Sequence, residues 1–378
     1  MRIAVLTSGG VDSSVALMLL REQGHDVTAF YLKIWLEDEL KHLGNCPWEE
    51  DLGFVRQICD REKIPLEIMP LQKEYFETVV AYAISEVKAG RTPNPDIMCN
   101  NHIKFGLFFE KIGADFEKVA SGHYAQVVKI SVPGVGERFF LKKSPDPVKD
   151  QTYFLARLSQ KQLSRIVFPI GIYNKEEVRA LAVRYHLPNN DRKDSQGICF
   201  LGKVPYREFI RHYLGEKKGD LVEFETGQRV GEHEGSWYYT LGQRKGIRLS
   251  GGPWYVVSKD STYNKVYVSK RYHEPDKQRD MIPVSDFYWF SGHPPQKRHL
   301  QVKLRHGEHA YKAVMVRLSN HDKSLPRPVP LRQAQGDSGK PHGDIGRIRI
   351  KGRDQGIAPG QFAVFYDGEI CLGSAVMK

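Results

Sequence analysis

Ser8-Gly9-Gly10-Val11-Asp12-Ser13-Ser14 is the stretch that decides how this chain reads. Ile3-Ala4-Val5-Leu6-Thr7 precedes it, a short apolar run with the length of a buried strand. Val15-Ala16-Leu17-Met18-Leu19-Leu20 follows, apolar nearly all round, and predicts a buried helix ending near Gly24. Val27 to Leu32 predicts a second strand. Strand, glycine turn, helix and strand make a βαβ unit, whose turn offers backbone N–H groups and a helix N-terminus to a phosphate. A Walker A loop ends in Gly-Lys-Ser/Thr, and this one does not. With no such lysine, the phosphates would rest on backbone N–H groups and the hydroxyls of Ser8, Ser13 and Ser14. The competing interpretation is an ordinary strand–helix turn with Asp12 or Ser13 as N-cap. A lone Gly-Gly would favour that turn; the whole heptad in this setting favours phosphate.

Strand-like and helix-like runs alternate to about residue 200. Residues 35–50 read as polar and irregular, 51–59 as helix, Ile64 to Met69 as strand and Tyr75 to Glu86 as helix. Gly90 to Asp96 reads as a rigid, turn-rich loop with two prolines. A helix follows, with Ile103, Leu107, Phe108 and Ile112 on one face; then a strand ends at Lys118 to His123, and two helical runs lie between Thr152 and Leu187. This is the α/β pattern of a doubly wound parallel sheet, which gathers ligands at the C-terminal ends of its strands. Past residue 205 the helical periods fade into short β-rich runs. They predict a small β-rich central domain and a C-terminal β-barrel. The expected divisions are 1–205, 206–272 and 273–378, with 321–346, rich in Pro, Gly and Gln, as a mobile loop between strands.

The 378 residues leave room for two or three domains. No apolar run reaches the ~18–20 residues of a membrane span, and no signal-peptide pattern opens the chain, so a cytoplasmic location is expected. Of the formal net charge of +11, the stretch 240–310 supplies +7, from 13 basic and 6 acidic residues. Trp254, Tyr255, Tyr263, Tyr267, Tyr288 and Trp289 are interleaved there, a mixture suited to a polyanion such as nucleic acid. The alternative is a solvated surface on a basic protein.

Five cysteines, at 46, 59, 99, 199 and 371, form no C-x-x-C pair and no disulfide framework. Cys99 follows Asn94-Pro95-Asp96-Ile97-Met98 and falls at the apparent start of a helix, which would lower its thiol pKa. A buried, inert thiol is the alternative reading. Cys199 lies in Gln196-Gly197-Ile198-Cys199-Phe200, where apolar flanks favour burial and the glycine loop favours presentation to a strand-end site.

The opening heptad resembles the pyrophosphate loop of the N-type ATP pyrophosphatases, which activate an oxygen by adenylation. The rest of the chain then narrows the match. Gly90 to Asn100, Ser121-Gly122-His123-Tyr124-Ala125, Lys149 to Leu155, Asp194 to Phe200, Tyr239 to Arg244, Ala358 to Gln361 and Gly368 to Gly373 follow in order. Together they resemble the bacterial tRNA-specific 2-thiouridylase family from residue 3 to Ser374, departing from it in 35–50 and 321–346.

The resemblance implies ATP and Mg2+ as cofactors. Leu6, Thr7, Ser8, Gly9, Gly10, Val11, Asp12, Ser13, Leu32 and Gly122 would contact the nucleotide, with Asp12 assisting through magnesium. It implies that Cys199 carries a persulfide and that Cys99 is the second thiol, releasing the sulfur to leave a transient Cys99–Cys199 disulfide or acting covalently. Asp96 would be a general acid/base. Asn94, Pro95 and Asp96 would meet the target base, and His123, Lys149, Asp150, Gln151, Arg305, His306 and Gln361 would meet tRNA. The expected partners are the wobble-uridine tRNAs for Lys, Glu and Gln and a persulfide donor such as a cysteine desulfurase or a sulfur relay protein. Another adenylating enzyme with the same loop, or a non-catalytic tRNA-binding protein, would need no paired thiols.

Overall fold

A computed structural model describes residues 1–34, 48–194, 204–317 and 346–378. Cys46, Cys199 and residues 321–345 of the expected loop lie outside the described residues. Gly346 opens a strand, and Trp48, Glu49 and Glu50, expected to be irregular, open the helix Trp48–Glu62. Glu49, Glu50 and Asp51 fill that helix's first turn, where carboxylates face the positive end of the helix dipole.

The N-terminal sheet contains β1 (Arg2–Thr7), β2 (Asp26–Lys33), β3 (Leu66–Pro70) and β4 (Lys118–Ser121). After β4 come β5 (Ala125–Val132) and β6 (Gly136–Lys143), which belong elsewhere, and then β7 (Ile166–Val167). The sheet order is β3-β2-β1-β4-β7, all parallel. Alternate residues feed two cores. Ala4, Leu6 and Phe30 face Phe105 and Phe108, while Ile3, Val5 and Ala29 face Val15 and Leu19 of α1 (Val11–Glu22). Burial on both faces is why these strands read as continuous apolar runs.

The central sheet, in the order β10-β11-β8-β9, is built from β8 (Gly219–Glu223), β9 (Arg229–His233), β10 (Tyr255–Asp260) and β11 (Lys265–Ser269). The barrel comprises β12 (Arg279–Trp289), β13 (His299–Lys303), β14 (Tyr311–Arg317), β15 (Gly346–Asp354), β16 (Phe362–Asp367) and β17 (Ile370–Met377). Pairing of β12 with β17 closes six strands around Val284, Val302, Ile348 and Phe365. The β5–β6 hairpin extends this sheet, with Leu141 opposite Cys371 and Lys142 opposite Ile370. Residues 125–143, expected inside the first domain, are thus part of the barrel sheet. Val127 and Val128 pack on the same core as Phe362 and Val364.

A buried ion pair ties the segment after β6 to the end of β13. Lys303 Nζ lies 2.9 Å from Asp150 Oδ2, and both side chains are almost wholly out of solvent. Thr152 Oγ1 also donates to Asp150 and lies 3.1 Å from Tyr366 Oη. Truncating one partner strands the other charge, so Lys303→Met is expected to destabilise the chain by about 3–5 kcal/mol. Lys303→Met with Asp150→Asn should recover part of that loss. Urea unfolding of the three proteins checks this, and an unchanged midpoint in the single variant would contradict it.

Candidate functional site

The glycine loop sits at the C-terminal end of β1. Leu6 is opposite Phe30 of β2 and Ser121 of β4, which gathers Leu6, Thr7, Leu32 and Gly122 at the C-terminal end of the sheet. Gly9 has φ +74°, and a Cβ there would lie 2.3 Å from the Asp51 carbonyl oxygen, so no other residue fits. A Cβ on Gly122 would lie 2.6 Å from Ser13 N. The backbone after β4 therefore packs directly against the first turn of α1, which gives Gly122 a steric reason to be glycine.

Gly10 is the N-cap of α1 and has no side-chain cap bond, so neither Asp12 nor Ser13 caps the helix. The first-turn N–H groups are left for an anion. The three hydroxyls do not all point there. Ser13 Oγ donates to Gly10 O and accepts from Ser8 N, while Ser14 Oγ donates to Gly10 O. Ser13 and Ser14 are buried and shape the loop; Ser8 is the exposed hydroxyl. Asn189 Nδ2 and Arg192 Nη1 both donate to Gly9 O, pinning the turn from behind.

Asp12 stands in a cluster of charges that sequence reasoning missed. Its Oδ1 accepts from Tyr124 Oη at 2.9 Å and Lys175 Nζ at 2.7 Å. Lys175 Nζ is also 2.7 Å from Asp194 Oδ1, and Asp194 in turn meets Lys149 Nζ at 2.6 Å and Arg179 Nη2 at 3.1 Å. Burial opposes ionisation of Asp194, yet the ammonium groups of Lys149 and Lys175 outweigh it and hold the carboxyl at about 2. Lys175 is 163 residues from Asp12, and no local sequence signal links them. Among the described residues no three His, Cys, Asp or Glu side chains group as a metal site. A magnesium ion on Asp12 would need phosphate oxygens and water to complete its shell.

The second constellation surrounds Cys99. Asn94 caps the helix Pro95–Met98 by accepting from Ile97 N at 3.2 Å, with Pro95 in the first turn. Cys99 is therefore not at the helix N-terminus but one turn inside, where a π-helical wind runs from Cys99 to Leu107. A π wind sets residue i+5 over residue i, bringing Lys104 above Cys99. The thiol is only 2% exposed. Burial pushes its pKa up to about 11 and Asp96 adds to the rise, while Lys104 and a hydrogen bond with Tyr75 work against it. The expectation of a lowered thiol pKa is thus reversed, because desolvation of the thiolate outweighs the helix field.

His123 Nδ1 lies 2.7 Å from Ser121 Oγ, and the ring packs against Phe105 and Phe168. Burial, helped by Lys104, drives its pKa well below the ordinary histidine value, so the ring is neutral. Lys104, which acts on both groups from within the π-helical run, had no role in the sequence reading.

The positions expected to touch tRNA divide into two sets. Lys149 and Arg305 keep partly exposed cationic ends, on Asp194 and Asp354 respectively. The Asp150 carboxylate is buried on Lys303 and Thr152. Gln151 holds Tyr124 through its side chain and its backbone N–H. His306 stacks on Phe154 with ring centroids 4.7 Å apart and lies 3.2 Å from Asp150 O. Gln361 Nε2 donates to Thr92 O and Pro93 O, and its Oε1 accepts from Asn94 Nδ2. The barrel thereby clamps the Asn94–Asp96 turn. Asn94 and Pro95 are buried and position that turn, and Asp96 is its half-exposed member.

Comparison with known proteins agrees with this layout. Residues 1–203 match the family model described as the tRNA methyl transferase HUP domain, and 207–270 match the tRNA methyl transferase PRC-barrel domain. Residues 341–377 match an aminomethyltransferase beta-barrel domain. The tRNA-specific 2-thiouridylase MnmA of Parabacteroides distasonis is 42% identical over 383 residues, covering 100% of this chain and 99% of its own length. The tRNA-specific 2-thiouridylase MnmA 1 of Bacteroides thetaiotaomicron is 43% identical over 382 residues, covering 99% of each. The solved NMN synthetase of Francisella tularensis aligns at 15% identity over 57% of this chain and 77% of its own, with a TM-score of 0.33, too slight a likeness to carry an argument.

Proposed function

The chain belongs to the bacterial tRNA-specific 2-thiouridylase family and 2-thiolates the wobble uridine of tRNA, and from that premise we propose how its two constellations divide the work. The uridine C2 oxygen is a poor leaving group, and ATP supplies the cure by adenylating it with release of pyrophosphate. The uncapped first turn of α1 receives the phosphates, with Leu6 to Ser13 around them and Leu32 and Gly122 beside the adenosine. Asp12 is the residue to hold Mg2+.

Sulfur then replaces the activated oxygen. Cys199 carries it as a persulfide, loaded by a cysteine desulfurase or a sulfur relay protein. Cys99 thiolate attacks the inner sulfur of that persulfide, the S–S bond breaks, and the released hydrosulfide attacks C2 as AMP departs. A Cys99–Cys199 disulfide is left for a cellular reductant. In the covalent alternative, the Cys99 thiolate adds to C2 and AMP departs, the outer persulfide sulfur of Cys199 then displaces Cys99 from C2, and Cys99 cleaves the remaining S–S bond at the Cys199 sulfur to leave the same disulfide. Asp96, half exposed beside Cys99, moves the protons. The target base must leave the anticodon stack to reach it. The substrates are wobble-uridine tRNAs for Lys, Glu and Gln, and the setting is the cytoplasm; no described helix is long and apolar enough to cross a membrane. Residues 1–205 would do the chemistry and meet the RNA through Lys149, while 206–272 and 273–378 would grip it through Arg305 and the basic stretch 240–310.

The observation that carries this reading is the pairing of an uncapped, glycine-shaped helix start with a thiol held beside Asp96 and Lys104. Mass spectrometry of tRNA nucleosides after incubation with ATP, magnesium and a persulfide donor tests it. Formation of 2-thiouridine is expected, and its absence would sink the reading. Labelled S-adenosylmethionine should leave the tRNA unlabelled, which separates sulfur transfer from the methyl transfer in the family models' descriptions.

A further inference from the structure

The glycine loop has no lysine of its own, and the fold brings one to it from a distant helix. Lys175 is the first residue of the helix Lys175–Arg184, and Asn174 caps that helix with a capping box. Its backbone N–H is fixed on Asp146 Oδ2 at 3.0 Å, so the root of the side chain is held. The ammonium lies at 2.7 Å from both Asp12 Oδ1 and Asp194 Oδ1, and the side chain is 16% exposed. An ammonium has three N–H donors, and these two carboxylates take two of them. Asp146 is occupied by the backbone N–H groups of Val148, Lys149 and Lys175. That leaves three side-chain cations, Lys149, Lys175 and Arg179, around two carboxylates, Asp12 and Asp194.

Asp12 is the second residue of α1, so Lys175 hydrogen-bonds to a residue in the first turn of the helix that faces the phosphates. Resting on the adenylation reading above, we infer that Lys175 is the loop's missing phosphate lysine. It waits on Asp12 and Asp194 and transfers to a phosphate oxygen when nucleotide or pyrophosphate occupies the loop. Asp12 would then be free to hold a metal ion. Asp194 is the competitor: its hold on Lys175 weakens phosphate binding, and Lys149 and Arg179 neutralise it when Lys175 leaves.

A structural ion pair and a phosphate ligand predict opposite responses. Binding of inorganic pyrophosphate and of ATP to the full-length chain, without tRNA, is measured by calorimetry for wild type, Lys175→Met, Lys175→Arg, Asp194→Asn and the double variant Lys175→Met/Asp194→Asn. Lys175→Met should weaken pyrophosphate binding by about tenfold or more, and Lys175→Arg should restore part of it. Asp194→Asn should tighten pyrophosphate binding several-fold, and that gain should vanish in the double variant. Unchanged affinity in Lys175→Met, or an Asp194→Asn variant that weakens binding as Lys175→Met does, overturns the inference and leaves the adenylation reading standing. A wild type that binds neither ATP nor pyrophosphate overturns both.

Discussion

Cys199→Ser and Cys99→Ser are each expected to lower 2-thiouridine formation by more than about 10³-fold while leaving a stoichiometric burst of pyrophosphate in the presence of tRNA. The burst is expected because the phosphate site is built from α1, Gly9, Gly122 and Asp12, none of which needs a thiol. Serine cannot carry a persulfide, nor can it cleave one, so activation would run once and stop. The two variants separate at the protein itself. After loading with a sulfur donor, the Cys99→Ser chain should retain the mass of one added sulfur on the Cys199 peptide. The Cys199→Ser chain should retain none. Thiolation persisting in either variant would remove that cysteine from the reaction. Loss of the pyrophosphate burst in both would mean that the thiols serve the activation step and that the proposed division of labour is wrong. Cys59, buried among Leu17, Val55 and Ile58 with its pKa raised to about 11 by burial and Asp60, is the matched control. Cys59→Ala should cost stability and leave sulfur transfer per folded molecule unchanged.

The sequence carried the βαβ start, the parallel sheet and the barrel strands because each is a local apolar pattern with a glycine or proline boundary. Gly9 and Gly122 were legible as part of motifs, although the reason at Gly122, contact with Ser13 N, is a tertiary fact. Three features were not legible. The β5–β6 hairpin lies inside an alternation of strands and helices, and its register with Cys371 and Ile370 bridges more than 220 residues. The π wind after Cys99 is set by packing, since Cys99, Ile103 and Phe105 all turn inward, and no propensity distinguishes it from an α-helix. The buried Asp150–Lys303 pair reverses the natural expectation that charges stay in solvent. The thiol pKa expected of Cys99 reverses for the same reason. Its position in the chain suggested a helix start, while its surroundings impose a desolvation that a single sequence does not display.

That desolvation makes Asp96 the residue whose substitution discriminates best. Burial and the Asp96 carboxylate both raise the Cys99 pKa, to about 11, while Lys104 and Tyr75 lower it. A raised thiol pKa means that the neutral form dominates at every pH below about 11, so the thiolate fraction at pH 7 is small. Asp96→Asn removes one of the two raising influences. If Asp96 acted only through its charge, the variant would hold more thiolate and thiolate tRNA faster. If Asp96 moves protons in the reaction, its loss should lower thiolation by about 10²–10⁴-fold. The expected result is that the two readouts part: alkylation of Cys99 by iodoacetamide at pH 8 quickens in Asp96→Asn, and single-turnover thiolation falls. Lys104→Met supplies the opposite perturbation. It should raise the Cys99 pKa further, slow alkylation and thiolation together, and move the pH–rate profile to higher pH. Faster thiolation in Asp96→Asn would reduce Asp96 to an electrostatic brake on Cys99. Slower alkylation in that variant would instead mean that the carboxylate orders the Asn94–Cys99 turn, since only a structural loss would hide a thiol that the change in charge should have activated.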